Sequence, residues 1–218
     1  MAYHINAEKV SLDDLRKRLE ATDPVPSRAS LREKAALKMK ALEKYGITTL
    51  ADLRNELKNA KRLAAVAKAT GIDAQYLVLL RREIEGYFPK PVDLKTFAWL
   101  PKGDIAKLEQ NGIDDTAQLY EMADSVKKRT ELAKSTDVAI ATLEALTRLA
   151  DLMRVQWVSP TFAQMLIAAG YDSASKVTRA EADELCDALK RVNTGDKFFK
   201  GKLGLRDIKR LILAASYV

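Results

Sequence analysis

The sequence is short of the residues on which most site chemistry depends. It has one cysteine and one histidine in 218 residues. The lone Cys186 has no partner for an intramolecular disulfide, so a disulfide-stapled scaffold is excluded. A zinc centre built from cysteine and histidine is excluded on the same ground. A Cys–His or Ser–His nucleophile pair would have to recruit His4, near the chain start, where order is least expected. Long apolar runs are missing too. Stretches such as Leu63–Ala67 and Leu211–Ala215 fall far below the roughly 20 residues of a membrane-spanning helix. The first residues, MAYHINAEKVSLDDL, contain no apolar segment of the secretory kind. These absences lead to the expectation of a reduced, cytoplasmic, soluble protein that does not touch membranes.

Glycine (9), proline (6) and aromatics (6%) are also sparse, and no period-two stretch rich in Val, Ile and Thr occurs. Strands are therefore not expected. What is present is a chain with 47% apolar and 31% charged residues, which suits a packed globule rather than a disordered polymer. Ala, Leu, Lys, Arg and Glu dominate, so the fold class expected is all-α.

Self-similarity organises the chain. The segment LEKYGITTLADL (Leu42–Leu53) recurs downstream as LEQNGIDDTAQL (Leu108–Leu119). The same offset carries Leu63–Ile72 onto Arg129–Val138, and Leu77, Leu80 and Arg82 onto Leu143, Leu146 and Arg148. A further copy lies at a slightly shorter offset, with DLKTFAWLPKGDIAKLEQNGI (Asp93–Ile113) matching DLMRVQWVSPTFAQMLIAAGY (Asp151–Tyr171). Register kept over such spans marks a repeat architecture. Three helical units are expected: residues 1–88 with an N-terminal extension, 89–148, and 149–218 with a basic C-terminal segment.

Turn chemistry inside the units is readable. A Leu stands four residues before a Gly and an apolar residue follows it at Leu42/Gly46/Ile47, Leu108/Gly112/Ile113 and Leu166/Gly170/Tyr171. That is the Schellman pattern, with Gly in the left-handed conformation and the next residue packing back on the Leu; Thr70-Gly71-Ile72 is expected to repeat it. Capping boxes are expected at Ser11/Asp14, Ser30/Glu33, Thr49/Asp52 and Thr178/Glu181.

The stretch LMRVQWVSPTFAQML (Leu152–Leu166) resembles the helix-hairpin-helix pattern, in which an apolar residue is normally flanked by two glycines. Together with Asp151-Leu152, Arg154, Val158, Pro160, Ala163, Leu166, Ala169-Gly170 and Asn193, the chain resembles an uncharacterised bacterial family, classed as a domain of unknown function and related to helix-hairpin-helix proteins. The resemblance covers most of residues 93–193. It implies tandem helix-hairpin-helix-like repeats packed into one elongated body, and a DNA-binding ancestry. The sequence departs from the pattern at the hairpins, because Trp99 and Trp157 stand at the first glycine position. Pro101 and Ser159 stand at the second, and Pro101 has no N–H to offer a phosphate. Both tryptophans are instead expected to fill gaps between neighbouring units.

The formal net charge of +7 is unevenly spread: residues 1–92 carry +6, residues 93–150 carry −2 and residues 151–218 carry +3. Two local concentrations stand out. One is an expected helix from Arg28 to Lys44 with Leu31, Ala35, Met39 and Leu42 on its apolar stripe. The other is sharper: Lys197, Lys200, Lys202, Arg206, Lys209 and Arg210, interrupted by one acid, Asp207, and interleaved with Phe198 and Phe199. Cations there can neutralise phosphates, and an exposed Phe can stack on a base. These six residues are the candidate nucleic-acid site.

Carboxylates are numerous but unpatterned, and Asp93 and Asp151 are expected to cap helix starts. Cys186 is expected to be half-buried filler. No nucleotide-loop, metalloprotease or nucleophile-elbow spacing occurs. No enzymatic activity, metal or cofactor is expected. The function expected is a non-enzymatic nucleic-acid-binding accessory protein acting on DNA or RNA. The alternative is a protein–protein adaptor built from degenerate repeats.

Overall fold

The computed structural model describes residues 2–218. It is all-helical, with no β-strand among the described residues. The chain divides into two compact units. One is Ile5–Phe88; the other combines the N-terminal residues through His4 with Pro89–Val218.

The Ile5–Phe88 unit contains α1 (Leu12–Ala21), a short 3-10 helix (Pro26–Arg32), α2 (Ala35–Lys44), α3 (Leu50–Leu57), α4 (Ala60–Thr70) and α5 (Ala74–Glu85). Leu42, Leu50, Leu53, Leu57, Val66, Leu77, Leu80 and Ile84 are wholly buried and form its core. The basic stretch from Arg28 to Lys44 is not one helix. Lys34 takes a left-handed conformation (φ 52°) and separates the 3-10 helix from α2. The Ser30/Glu33 capping box consequently does not form, because Glu33 lies at the break rather than in a helical first turn. Two of its cations are engaged within the unit: Arg28 pairs with Glu83, and the Lys38 ammonium sits 3.4 Å from the Tyr76 ring centroid; Arg32, Lys34, Lys40 and Lys44 are exposed.

The second unit holds α6 (Lys102–Gln110), α7 (Thr116–Ala123), α8 (Val126–Thr136), α9 (Ile140–Met153), α10 (Pro160–Ala168), α11 (Ala174–Thr178), α12 (Ala182–Val192) and α13 (Leu205–Ala215). Helix α9 packs on α7, α8 and α10, while α13 packs on α11 and α12. Leu94, Leu108, Leu119, Leu143, Leu146, Leu152, Leu166, Leu185 and Leu189 are fully buried in its core. Cys186 is buried rather than half-buried, with its Sγ 3.9 Å from the Leu203 carbonyl. The chain start is also tied down, against expectation. The buried Tyr3 hydroxyl accepts a hydrogen bond from Thr116 at 3.2 Å, and His4 Nε2 lies 2.7 Å from the Pro89 carbonyl. Burial pushes the Tyr3 hydroxyl pKa up.

The three predicted Schellman ends are present. Gly46, Gly112 and Gly170 have φ of 95°, 75° and 92°. The N–H groups of Ile47, Ile113 and Tyr171 donate to the carbonyls of Leu42, Leu108 and Leu166 at 3.1, 3.0 and 2.9 Å. Gly71 makes the simpler left-handed cap instead, with its N–H on the Ala67 carbonyl at 3.0 Å. Capping boxes close at Ser11/Asp14 and Thr49/Asp52. The sequence reading missed one at Asp115/Gln118. The expected box at Thr178/Glu181 does not form: the Thr178 hydroxyl donates back to the Ala174 carbonyl within α11, and Glu181 makes no side-chain cap.

Hydrogen bonds recur at the offsets seen in the sequence. Phe97 and Leu100 donate to Leu94 and Phe97; at the matching positions of the later copy, Val155 and Val158 donate to Leu152 and Val155. Isolated antiparallel bridges join Ser11 to Thr49 and Asp93 to Asp115, and Thr49 and Asp115 occupy equivalent positions of the repeat.

Candidate nucleic-acid interface

Helix α9 ends at Met153, and a tight turn of six residues carries the chain into α10. Val158 N–H closes a four-residue turn on the Val155 carbonyl at 3.2 Å. Its third residue is Trp157, with φ +71°. A β-turn with positive φ at that position favours glycine; a bulky side chain there costs about 1–2 kcal/mol. The indole is 46% exposed, so neither Trp157 nor Trp99, equally exposed, is the gap-filling core residue expected. Ser159 caps α10 by accepting from the Phe162 N–H, with Pro160 at the first helical position.

Opposite lies the connection between α12 and α13. Gly195 (φ 73°) and Asp196 (φ 55°) turn the chain. Asn193 then holds the aromatic pair: its Oδ1 accepts from the Phe198 and Phe199 N–H groups at 2.9 and 3.0 Å, and its Nδ2 donates to the Phe199 carbonyl at 2.7 Å. Phe198 packs against the core, whereas Phe199 is 46% exposed. The Phe199 ring lies directly against Gly201, so close that an added Cβ would displace it. On α13, Ile208, Leu211, Ala214 and Ala215 form the buried stripe. Arg206, Lys209 and Arg210, spaced three and four residues apart, share another flank.

These pieces meet around one cavity of about 440 Å³. Trp157, Phe162 and Met165 line one side; Phe198, Phe199, Leu203, Ile208 and Leu211 line the other, with Asp207 and Arg210 as its charged groups. The Arg210 guanidinium stacks on the indole of Trp157, 4.4 Å from the ring centroid. Its buried Nε has no hydrogen-bond partner among the described residues.

Of the six sequence-predicted cations, Lys197, Lys200, Lys202, Arg206 and Lys209 are exposed and Arg210 is half-buried. Lys197 rides over Phe198, 5.2 Å from its centroid. Lys200, Lys202 and Lys209 make no side-chain hydrogen bond or ion pair among the described residues. Lysines elsewhere do: Lys95 pairs with Glu109 at 2.6 Å and Lys107 with Asp137 at 2.7 Å. Sequence reasoning missed Trp157, Phe162 and Asn193 as parts of this place. The one available signal was their position in the repeated hairpin and in the family-like segment.

A polar recess lies elsewhere in the unit, lined by Tyr120, Arg129, Glu144, Arg148, Asp151 and Asp172 among others. Its aspartates are structurally engaged, Asp124 with Lys128 and Asp172 with Arg148 and Lys176. Asp151 is not a helix cap: it sits inside α9, accepts from the Ala174 N–H at 2.8 Å and pairs with Arg154 at 3.0 Å. Arg154 in turn lies 4.5 Å over the Tyr120 ring, whose hydroxyl pKa is raised by burial. No group of three His, Cys, Asp or Glu among the described residues could hold a metal ion. No helix among them is long and apolar enough to cross a membrane.

Residues 102–217, just over half of the chain, match the family model described as a domain of unknown function (DUF4332). The chain belongs to the DUF4332 family. No curated protein and no solved structure matches it. The DUF4332 match runs from the start of α6 to the end of α13. It therefore contains the whole cavity and the Trp157 hairpin, and leaves out Trp99 and the Ile5–Phe88 unit.

Proposed function

We propose that this DUF4332 protein is a non-enzymatic nucleic-acid-binding accessory protein of helix-hairpin-helix ancestry, acting in a reduced cytoplasm through its C-terminal basic segment. The observation that carries the reading is the company the cations keep. Lys200, Lys202 and Lys209 are exposed without acidic partners. They adjoin Phe199, Leu203 and Arg210, which line a cavity open to solvent-exposed aromatic rings. Unpaired cations release counterions when they meet phosphates, and exposed rings stack on bases. The turn between α9 and α10, and the hydrogen bonds that recur between the two copies of the hairpin, support the tandem helix-hairpin-helix relation. With Trp at the turn and Pro at the helix start, phosphate contacts are assigned to the basic segment and not to the hairpin N–H groups.

The test is an anisotropy titration of labelled single- and double-stranded DNA and RNA over a range of salt. Log K should fall linearly with log salt, by about 0.9 per phosphate met on duplex DNA and about 0.7 on single strands. Changing Lys200, Lys202 and Lys209 together to Gln should flatten the slope by about 2.7 on duplex DNA and about 2.1 on single strands; Arg210 is spared because it packs on Trp157. An unchanged slope removes the segment from the interface, and no binding at low salt ends the proposal in favour of the adaptor reading.

A further inference from the structure

The cavity between the Trp157 hairpin, the Phe198–Phe199 loop and α13 has features that charge alone does not call for. Its volume of about 440 Å³ falls in the ordinary range of ligand pockets. Two of its aromatic walls, Trp157 and Phe199, remain 46% exposed. Trp157 is held out at a backbone cost, in a left-handed conformation. The Phe199 ring lies over Gly201, where an added Cβ would push it aside. A ring kept for core packing would not need the strain that Trp157 carries. The buried Arg210 Nε adds an unpaired donor at the wall, beside the indole on which the guanidinium stacks. A buried donor without an acceptor is costly, and a ligand that brings an acceptor gains by relieving it.

Building on the proposed nucleic-acid binding, we propose that this cavity receives one unstacked nucleobase of a single-stranded nucleic acid. Trp157 and Phe199 sandwich or flank the base, the Arg210 Nε–H donates to an exocyclic oxygen or ring nitrogen, and Lys200, Lys202 and Lys209 meet the neighbouring phosphates. A base has the flat apolar faces that the rings select and the edge acceptors that Arg210 needs. Unstacked bases of single strands bind in this manner on aromatic and guanidinium planes. Duplex bases are stacked and paired, so they would first have to be flipped out. The cavity thus makes the protein selective for single strands, whereas the basic segment alone would not discriminate.

The experiment uses the full chain with Trp99→Phe, which leaves Trp157 as the sole tryptophan. A single-stranded oligonucleotide of about 12 nucleotides, the same oligonucleotide with its central bases replaced by abasic spacers, the matching duplex, and free nucleoside monophosphate serve as probes. The intact single strand should change Trp157 fluorescence, and the abasic strand and duplex should not, although both still bind through phosphates. Trp157→Gly suits the left-handed backbone and removes the ring. It should keep the helical circular dichroism and the salt slope while weakening single-strand binding about tenfold, and Phe199→Leu should act in the same direction. Retained single-strand preference in both variants, or Trp157 fluorescence indifferent to saturating strand, would overturn the base-pocket proposal while leaving salt-dependent binding intact. A fluorescence change by the free monophosphate at the same concentrations as the strand would overturn it in favour of a small-molecule site. Absence of all binding at low salt would overturn the proposed function itself, and this inference with it.

Discussion

At the residue scale the clearest determinants are Gly46, Gly112 and Gly170. Each takes a positive φ, and a Cβ added there meets nothing within 4 Å. The cost of substitution is therefore backbone strain and not collision. Replacing Gly112 by Ala should destabilise its unit by about 1–2 kcal/mol, and replacement by Asn, which tolerates the left-handed region, should cost less; denaturant titration of the two variants measures the difference. These positions were legible because positive φ selects glycine and the Leu and apolar partners sit at fixed spacing. Trp157 was not. It has the same class of backbone conformation without the residue that signals it, and its stacking partner Arg210 stands far along the chain, on α13. Asn193 was visible as a family-like residue, but its three bonds to the Phe198–Phe199 backbone depend on a turn through Gly195 and Asp196 that no local motif announces.

At the scale of elements, helix starts separate what local pattern decides from what it does not. The carboxyls of Asp14 and Asp52 are held below the ordinary value of 3.8 by hydrogen bonds from Ser11, and from Thr48 and Thr49. A carboxyl with a depressed folded-state pKa stabilises above its unfolded value and loses that contribution as pH falls through the folded one. The ends of α1 and α3 should therefore fray below about pH 4, seen as accelerated amide exchange at their first turns. Thr49→Ala should cost about 1 kcal/mol at neutral pH and remove only the hydroxyl's part of that acid sensitivity from α3, because the backbone N–H groups of residues 48 and 49 still bond the Asp52 carboxylate. The same S/T-x-x-D/E spacing fails at Ser30 and Thr178. A left-handed Lys34 breaks the first, and the Thr178 hydroxyl is taken by its own helix in the second. Side-chain spacing proposes a cap; the path of the chain before and after it decides whether a helix begins there.

At the scale of the whole molecule, all-helical character was legible from composition and periodicity, and the turn register from self-similarity. The pairing of segments distant in sequence, which builds the cavity, was not. Among the described residues the two large apolar cores lie one within Ile5–Phe88 and one within Pro89–Val218, with a small cluster of Tyr3, Tyr120 and Ala150 beside the second. Leu53→Ala and Leu166→Ala, both at wholly buried positions, should each cost about 2–5 kcal/mol. Hydrogen exchange should rise chiefly around Leu53 in the first case and around Leu166 in the second. The net charge of +7 acquires meaning through placement: the middle of the chain is acidic, while the cations at 197–210 border an aromatic cavity. Binding of nucleic acid through that border is the central claim. Titration of the intact protein with labelled single-stranded and duplex DNA, repeated across salt, tests it most directly. The account predicts binding at low salt, a linear loss of log K with log salt, and tighter binding of the single strand. No binding at the lowest salt, or binding that salt does not weaken, would contradict it.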